Sequence, residues 1–347
     1  MTSNRREDLF VRSWYQKSLW LYLLFPLAIT YWLLSSVRRL LYHAGILSSY
    51  RPPVPIVIVG NIAVGGTGKT PLVIALCRAL ESAGMKPGVI SRGYGGSAPI
   101  YPYSVTPNSN PLHSGDEPLL IAEQSQVPVV VDANRENAIR CLLANNACDV
   151  IIADDGLQHY ALQRDVEIVV VDGRRNFGNR CVLPVGPLRE PVSRLNHVDY
   201  VVSNGPGLDL VSATNQHLMN LQPTMLTSLA DGKTVAVAEW NFPKRVHAVA
   251  GIGNPDRFYR TLKSIGFDPI EHSFADHHHF TESDLAFDSE LPIIMTAKDA
   301  VKVRELDCLD HCWYLSVEAA VDNDFFPRVI QQIKTCAQHQ SSTERDC

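Results

Sequence analysis

Residues 54–70 read V-P-I-V-I-V-G-N-I-A-V-G-G-T-G-K-T. An apolar run rich in Val and Ile gives way to a glycine-rich turn, and residues 71–83 then read as a helix. Strand, glycine loop, Gly68-Lys69-Thr70 and helix together form a phosphate-binding P-loop. The residue types follow from the chemistry. Small residues let backbone N–H groups curl around phosphate oxygens, and the helix adds its positive N-terminal end. Lys69 would reach the outer phosphates, and the Thr70 hydroxyl would serve Mg²⁺. The expected nucleotide cradle is Ala63, Val64, Gly65, Gly66, Thr67, Gly68, Lys69 and Thr70. Ala63 stands where the consensus has its first glycine; Gly65 and Gly66 are expected to supply that flexibility.

Outward from this loop, strands are expected at 86–91, 127–131, 150–153, 168–171 and 200–203, with helices at 118–124 and 135–144 between them. Apolar strands alternating with helices imply a parallel sheet covered on both faces, with ligands beyond the strand carboxyl ends. A second, smaller α/β unit begins near Val246, with strands at 246–250, 292–295 and 313–316 and a closing helix at 326–337. Its Gly251-Ile252-Gly253 is by itself weak support for a second nucleotide. Residues 205–245 read as mixed strand and loop. The expected division is 1–50, an N-terminal membrane-associated helix; 51–235, the P-loop domain; and 236–347, the smaller domain with its connecting segment.

Residues 18–37 carry no charge and as a helix would extend about 30 Å, the thickness of a bilayer core. Arg5, Arg6, Arg12 and Lys17 precede them, Arg38 and Arg39 follow, and Trp14, Tyr15, Trp20, Tyr31, Trp32 and Tyr42 crowd the ends. No small-residue cleavage site follows, which argues against a signal peptide. A buried soluble helix is the plain alternative. Pro26 near the middle and basic residues on both sides favour a helix lying in, or dipping into, the inner leaflet over one that spans it.

A net charge of −5 over 347 residues disfavours nucleic acid as the main partner, and nothing in the sequence calls for an obligate protein partner. Eight scattered Cys follow no disulfide framework and fit a reducing compartment. Cys308, His311 and Cys312 would make half a metal site, with no convincing second half.

A P-loop protein needs a carboxylate for Mg²⁺ at the end of a neighbouring apolar strand, and Asp154-Asp155 after 150–153 fits; Asp172 is a rival. Asp116-Glu117 sits at an expected helix start, where acids either favour the helix dipole or serve catalysis and metal. Among Asp276, His277, His278 and His279, adjacent His side chains point apart and suit metal poorly, so a loop Asp-His that orients another group is the sharper reading. Arg174, Arg175, Arg180, Arg189 and Arg194 form a basic stretch suited to phosphate or lipid headgroups.

As a whole the chain resembles the tetraacyldisaccharide 4′-kinases of lipid A biosynthesis. The resemblance rests on the apolar N-terminal helix, Gly65-Gly66-Thr67-Gly68-Lys69-Thr70-Pro71, Ser91-Arg92-Gly93-Tyr94-Gly95-Gly96, Gly115-Asp116-Glu117 and Asp154-Asp155-Gly156-Leu157-Gln158. It continues through Pro184-Val185-Gly186-Pro187-Leu188-Arg189-Glu190-Pro191, Phe274-Ala275-Asp276-His277-His278 and Thr296-Ala297-Lys298-Asp299. It implies transfer of the γ-phosphoryl of ATP to the 4′-hydroxyl of an acylated glucosamine disaccharide 1-phosphate at the cytoplasmic face of the bacterial inner membrane. It also implies Asp116 as base with His277 as its partner, Lys69 on the phosphates, and Thr70, Glu117, Asp154 and Asp155 around Mg²⁺. His278 competes with His277 for that partnership. Two other readings stand beside it. One is a membrane-associated GTPase or regulatory ATPase, with Thr296-Ala297-Lys298-Asp299 read as a guanine-specificity motif. The other is a non-catalytic adaptor that kept a nucleotide fold.

Overall fold

A computed structural model describes residues 11–16, 18–206 and 215–343; Arg5, Arg6 and Lys17 lie outside the described residues. The strands are β1 (Ile56–Gly60), β2 (Pro87–Ser91), β3 (Tyr103–Val105), β4 (Val129–Val131), β5 (Val150–Asp154), β6 (Val166–Asp172) and β7 (Tyr200–Asn204). They continue with β8 (Gln216–Ser228), β9 (Thr234–Ala236), β10 (Arg245–Ala250), β11 (Asp268–Ser273), β12 (Ile293–Thr296) and β13 (Cys312–Val321). All belong to one sheet, in the order β11-β10-β12-β13-β8-β7-β6-β1-β5-β2-β4-β3, with β9 beside β8.

The long β8 and β13 form an antiparallel ribbon. On one side of it, β7, β6, β1, β5, β2 and β4 run parallel. On the other, β12, β10 and β11 run parallel to one another and to β13. β7 ends where Asn204 sits opposite Met219 of β8, and β12 ends where Thr296 sits opposite Leu315 of β13. Because the ribbon is antiparallel, these attachments lie toward opposite ends of it. The carboxyl edges of the two half-sheets therefore point at each other across its middle. Such edges are where open α/β sheets bind ligands, and a cavity of about 370 Å³ opens there, floored by Leu221, Leu315 and Val317.

The main helices are α1 (Phe25–His43), α2 (Lys69–Ser82), α3 (Asp116–Ser125), α4 (Arg135–Asn145), α5 (Pro255–Ser264), α6 (Ala297–Val303) and α7 (Phe325–Thr343). β1 is buried along its whole length, as the unbroken apolar run requires of a strand covered on both faces. α2 buries Leu72, Val73, Leu76, Cys77 and Leu80, the helical spacing of one face, in the same core as Val57, Val59 and Ile152. A separate core of Leu226, Val246, Phe258, Leu262 and Trp313 supports the far half-sheet.

Three expectations change. The closing helix, expected within 236–347, places Phe325, Val329 and Ile333 in the core that holds Val57 and Leu72 of the P-loop half, together with Ala297, Val301 and Ala319. Residues 205–245 contribute β8, the strand that joins the half-sheets, rather than a mere connection. The apolar N-terminal segment is not one helix. Leu19–Leu24 forms a 3₁₀ turn, and Pro26 falls in the first turn of α1, where its missing N–H costs nothing.

Candidate active site

The P-loop geometry explains its residue types. Gly65 has φ of 105° and Gly68, the residue before α2, has φ of 94°; both lie where side chains are strained. A Cβ on Gly68 would also collide with Asn204, whose Nδ2 donates to the Thr67 carbonyl at 2.8 Å. Ala63 needs no such freedom. It is 8% exposed, it pairs with Leu188 in a backbone bridge, and the flanking Arg189 N–H donates to the Ile62 carbonyl at 2.7 Å. The Pro184–Pro191 motif is thus a strap laid along the loop.

Of the expected site residues, 64–70, Glu117, Asp155 and His277 line the cavity, while Ala63, Asp116 and Asp154 are buried and do not. Asp155 accepts from Lys69 Nζ at 3.4 Å and from Arg189 Nη1 at 3.1 Å. Burial works against its charge, but Lys69 and Arg189 prevail and hold it below the usual carboxylate range. Asp154, 1% exposed at the end of β5, behaves oppositely: burial, reinforced by Glu117, pushes it up to about 7. Its Oδ2 accepts weakly from Ser91 at 3.4 Å, and its buried Oδ1 has no partner.

Asp116 opens α3 after Gly115 and is 4% exposed. Its Oδ1 lies 3.1 Å from His277 Nδ1 and accepts from the Glu117 N–H at 3.0 Å. Burial again opposes the charge, yet the His277 hydrogen bond and Lys298 keep this carboxyl low. For His277, burial disfavours the cation while the hydrogen bond to Asp116 outweighs it and raises the pKa. His277 has φ of 59° and packs edge-on against Tyr94 at 5.0 Å. His278 turns away, to Asp284 at 3.2 Å, so the structure joins His277, not His278, to Asp116.

The second unit closes directly on the P-loop. Gly253 has no room for a Cβ without tight contact with the Gly66 nitrogen at 3.0 Å. Arg175 Nη1 donates to the Gly253 carbonyl at 3.0 Å, and Asn254 Nδ2 donates to Asp172 at 3.2 Å. The Gly251-Ile252-Gly253 turn therefore abuts the loop. Asp172, the rival metal carboxylate, is occupied by Asn254 and by the backbone of Arg174 and Arg175.

Sequence reasoning gave Lys298 no role. Its ammonium lies 2.9 Å from Glu117 Oε1, 3.2 Å from Asp276 Oδ1, 3.7 Å from Asp116 Oδ2 and 3.5 Å from His277 Nε2. Asp299 is fully buried and consumed internally by the Gly251 N–H at 3.0 Å, the Thr296 hydroxyl at 2.6 Å and Lys302 at 2.6 Å. Fully buried and absent from the cavity lining, it is not presented to a nucleotide base there, which removes the basis of the GTPase reading. Only the quoted Thr296-Ala297-Lys298-Asp299 motif pointed to Lys298, because its partners lie far away in sequence.

Comparisons with known proteins identify the family. Residues 20–334 match the family model described as tetraacyldisaccharide-1-P 4′-kinase. A tetraacyldisaccharide 4′-kinase of Mannheimia succiniciproducens is 46% identical over 330 residues, 93% of this chain and 99% of that protein. One of Aeromonas salmonicida is 46% identical over 322 residues, 92% of this chain and 95% of that protein. A crystal structure of LpxK from Aquifex aeolicus in complex with ATP superposes with a TM-score of 0.77 at 25% identity, covering 91% of this chain and 99% of that one. A family model that spans most of the chain, relatives matched over nearly their whole length and a shared fold lead to one conclusion: the chain belongs to the tetraacyldisaccharide-1-P 4′-kinase family.

Proposed function

We propose that this chain is an ATP-dependent lipid kinase that phosphorylates the 4′-hydroxyl of a tetraacylated glucosamine disaccharide 1-phosphate, giving lipid IVA for lipid A. The observation that carries the reading is one cavity lined by the P-loop Lys69, by Glu117 and by His277, whose Nδ1 lies 3.1 Å from the buried Asp116. Phosphoryl transfer runs through a loose transition state, so most of the catalysis is positioning and charge neutralisation. Lys69 and Arg189, linked through Asp155, supply positive charge where the transferred group sits. Asp116, kept ionised and oriented by His277, takes the acceptor hydroxyl proton, a contribution of about 10²–10⁴-fold.

Mg²⁺ suits the residues present. Among the described residues no three His, Cys, Asp or Glu side chains converge into a self-sufficient metal cage, and Mg²⁺ is ordinarily held by one or two carboxylates plus phosphates. The unpartnered Oδ1 of Asp154 is the orphan such an ion would satisfy, and Glu117 and Thr70, which line the cavity, would join it; Asp155 is engaged by Lys69 and Arg189. When bound, the ion would neutralise charge on the phosphates.

The acceptor's acyl chains keep it in a bilayer, and the apolar N-terminal segment supports a site at that surface. Leu19, Leu23, Leu27, Leu33, Leu34 and Leu40 are more than half exposed. The 3₁₀ turn and α1 run without a break over Leu19–His43, 25 residues, long and apolar enough by length and composition to reach across a bilayer core. The basic residues on both sides favour lying in or dipping into one leaflet. Tyr31 donates its hydroxyl to the Arg189 carbonyl at 3.0 Å, tying that helix to the cavity wall. We read the membrane as the bacterial inner membrane, approached from the cytoplasm. Purified chain with labelled ATP and the acylated disaccharide 1-phosphate in detergent tests the reading. Label in the lipid, with little release as free phosphate, is expected. Hydrolysis of ATP or GTP without lipid labelling would overturn it.

A further inference from the structure

Lys298 sits in the first turn of α6 with only 15% of its side chain exposed. A cation there opposes both burial and the helix dipole, so the position asks for a reason. Three carboxylates and a ring nitrogen answer it. Glu117 and Asp116 come from α3 of the P-loop half, and Asp276 and His277 from the turn after β11 of the other half. Lys302 and Asp299 pair with each other on α6 itself, and Lys69, Asp155 and Arg189 line the same cavity. An ammonium has three donors and no acceptor. It lies 3.5 Å from His277 Nε2, which Asp276 Oδ1 also approaches at 3.8 Å, while the opposite ring nitrogen, Nδ1, faces Asp116 at 3.1 Å.

We propose that Lys298 is a positioning residue that assembles the base. Held across the cleft by Glu117 at 2.9 Å, it fixes the orientation of His277 and, 3.7 Å from Asp116 Oδ2, helps to aim that carboxylate. The inference rests on Asp116 being the base. It also makes the site complete only when the two halves are closed, since Lys298 belongs to one half-sheet and Asp116 and Glu117 to the other.

The test uses the full chain in the detergent assay. Lys298→Met is expected to lower kcat on the order of 10–10²-fold while the KM for ATP changes less than about 3-fold. Lys298→Arg, which keeps the charge and donors, is expected to restore part of the loss. In an Asp116→Asn background, Lys298→Met is expected to add nothing further, because both act on one group. Thermal unfolding identifies variants that do not fold; if Lys298→Met is one, Lys298→Gln is read in its place. A folded neutral variant with wild-type kcat would overturn the proposal. So would a loss independent of Asp116, or one seen mainly in the KM for ATP, which would make Lys298 a phosphate contact. If Asp116→Asn itself keeps wild-type kcat, the base assignment fails. If Asp116→Asn is inactive and Lys298→Met is not, this inference alone fails.

Discussion

His277→Ala is the most informative single change. It removes the 3.1 Å bond to Asp116 Oδ1 and leaves that carboxylate with the Glu117 N–H at 3.0 Å and Lys298 at 3.7 Å. A hydrogen bond to a charged group is worth about 1.5–3 kcal/mol, which corresponds to roughly 10–150-fold in rate if it is felt wholly in the transition state. Since two partners remain to orient Asp116, kcat is expected to fall about 10–50-fold, less than the 10²–10⁴-fold of losing a base outright. ATP affinity should hold, because His277 contacts Asp116 and Tyr94 rather than the P-loop. The pH profile carries the sign. Burial raises the Asp116 pKa while His277 and Lys298 lower it, and the balance lies below the usual value. Deleting His277 removes one lowering partner, so the pKa rises and the acid limb of kcat/KM moves to higher pH. The assay is initial-rate lipid phosphorylation across pH, with ATP binding by calorimetry. A wild-type kcat, or an acid limb displaced to lower pH, would refute the reasoning.

Other changes separate binding, stability and surface attachment. Lys69→Ala leaves Asp155 its bond to Arg189 at 3.1 Å, so the chain should stay folded while lipid phosphorylation falls about 10²–10³-fold, the usual scale for losing a transition-state donor. Asp299→Ala strands the buried Lys302 ammonium, now 2.6 Å from its partner. It should cost about 3–5 kcal/mol and lower the unfolding midpoint by roughly 6–20 °C in circular dichroism. Leu27→Ser with Leu34→Ser, two leucines that are 59% and 65% exposed, should leave the unfolding midpoint in place but weaken vesicle flotation at least tenfold. Each removes a side chain worth about 1.5–3 kcal/mol when buried.

The P-loop was legible because its signal is contiguous. One run of residues specifies the strand, the positive-φ turns at Gly65 and Gly68 and the helix that follows. Asp154-Asp155 was legible for the same reason, as the end of an apolar strand beside β1. The pairing of Asp116 with His277 was not. Local sequence showed a helix start and a His-rich loop, and only resemblance to a family suggested that they meet. Lys298 was harder still, because its environment exists only after β8 and β13 bring two half-sheets face to face. That ribbon itself escaped notice: β8 alternates irregularly between buried and half-exposed positions, since it contacts a parallel neighbour at one end and an antiparallel one along its length. Pro26 was misjudged because a proline inside an apolar run reads as a kink, whereas a preceding 3₁₀ turn makes it a helix start.

The most direct measurement is a single-turnover phosphoryl transfer from labelled ATP to acylated disaccharide 1-phosphate by Asp116→Ala, run beside its ATP dissociation constant. ATP binding within about 3-fold of wild type, with transfer slowed about 10²–10⁴-fold, is expected if Asp116 takes the acceptor proton. Transfer at the wild-type rate by a folded Asp116→Ala chain would contradict that role.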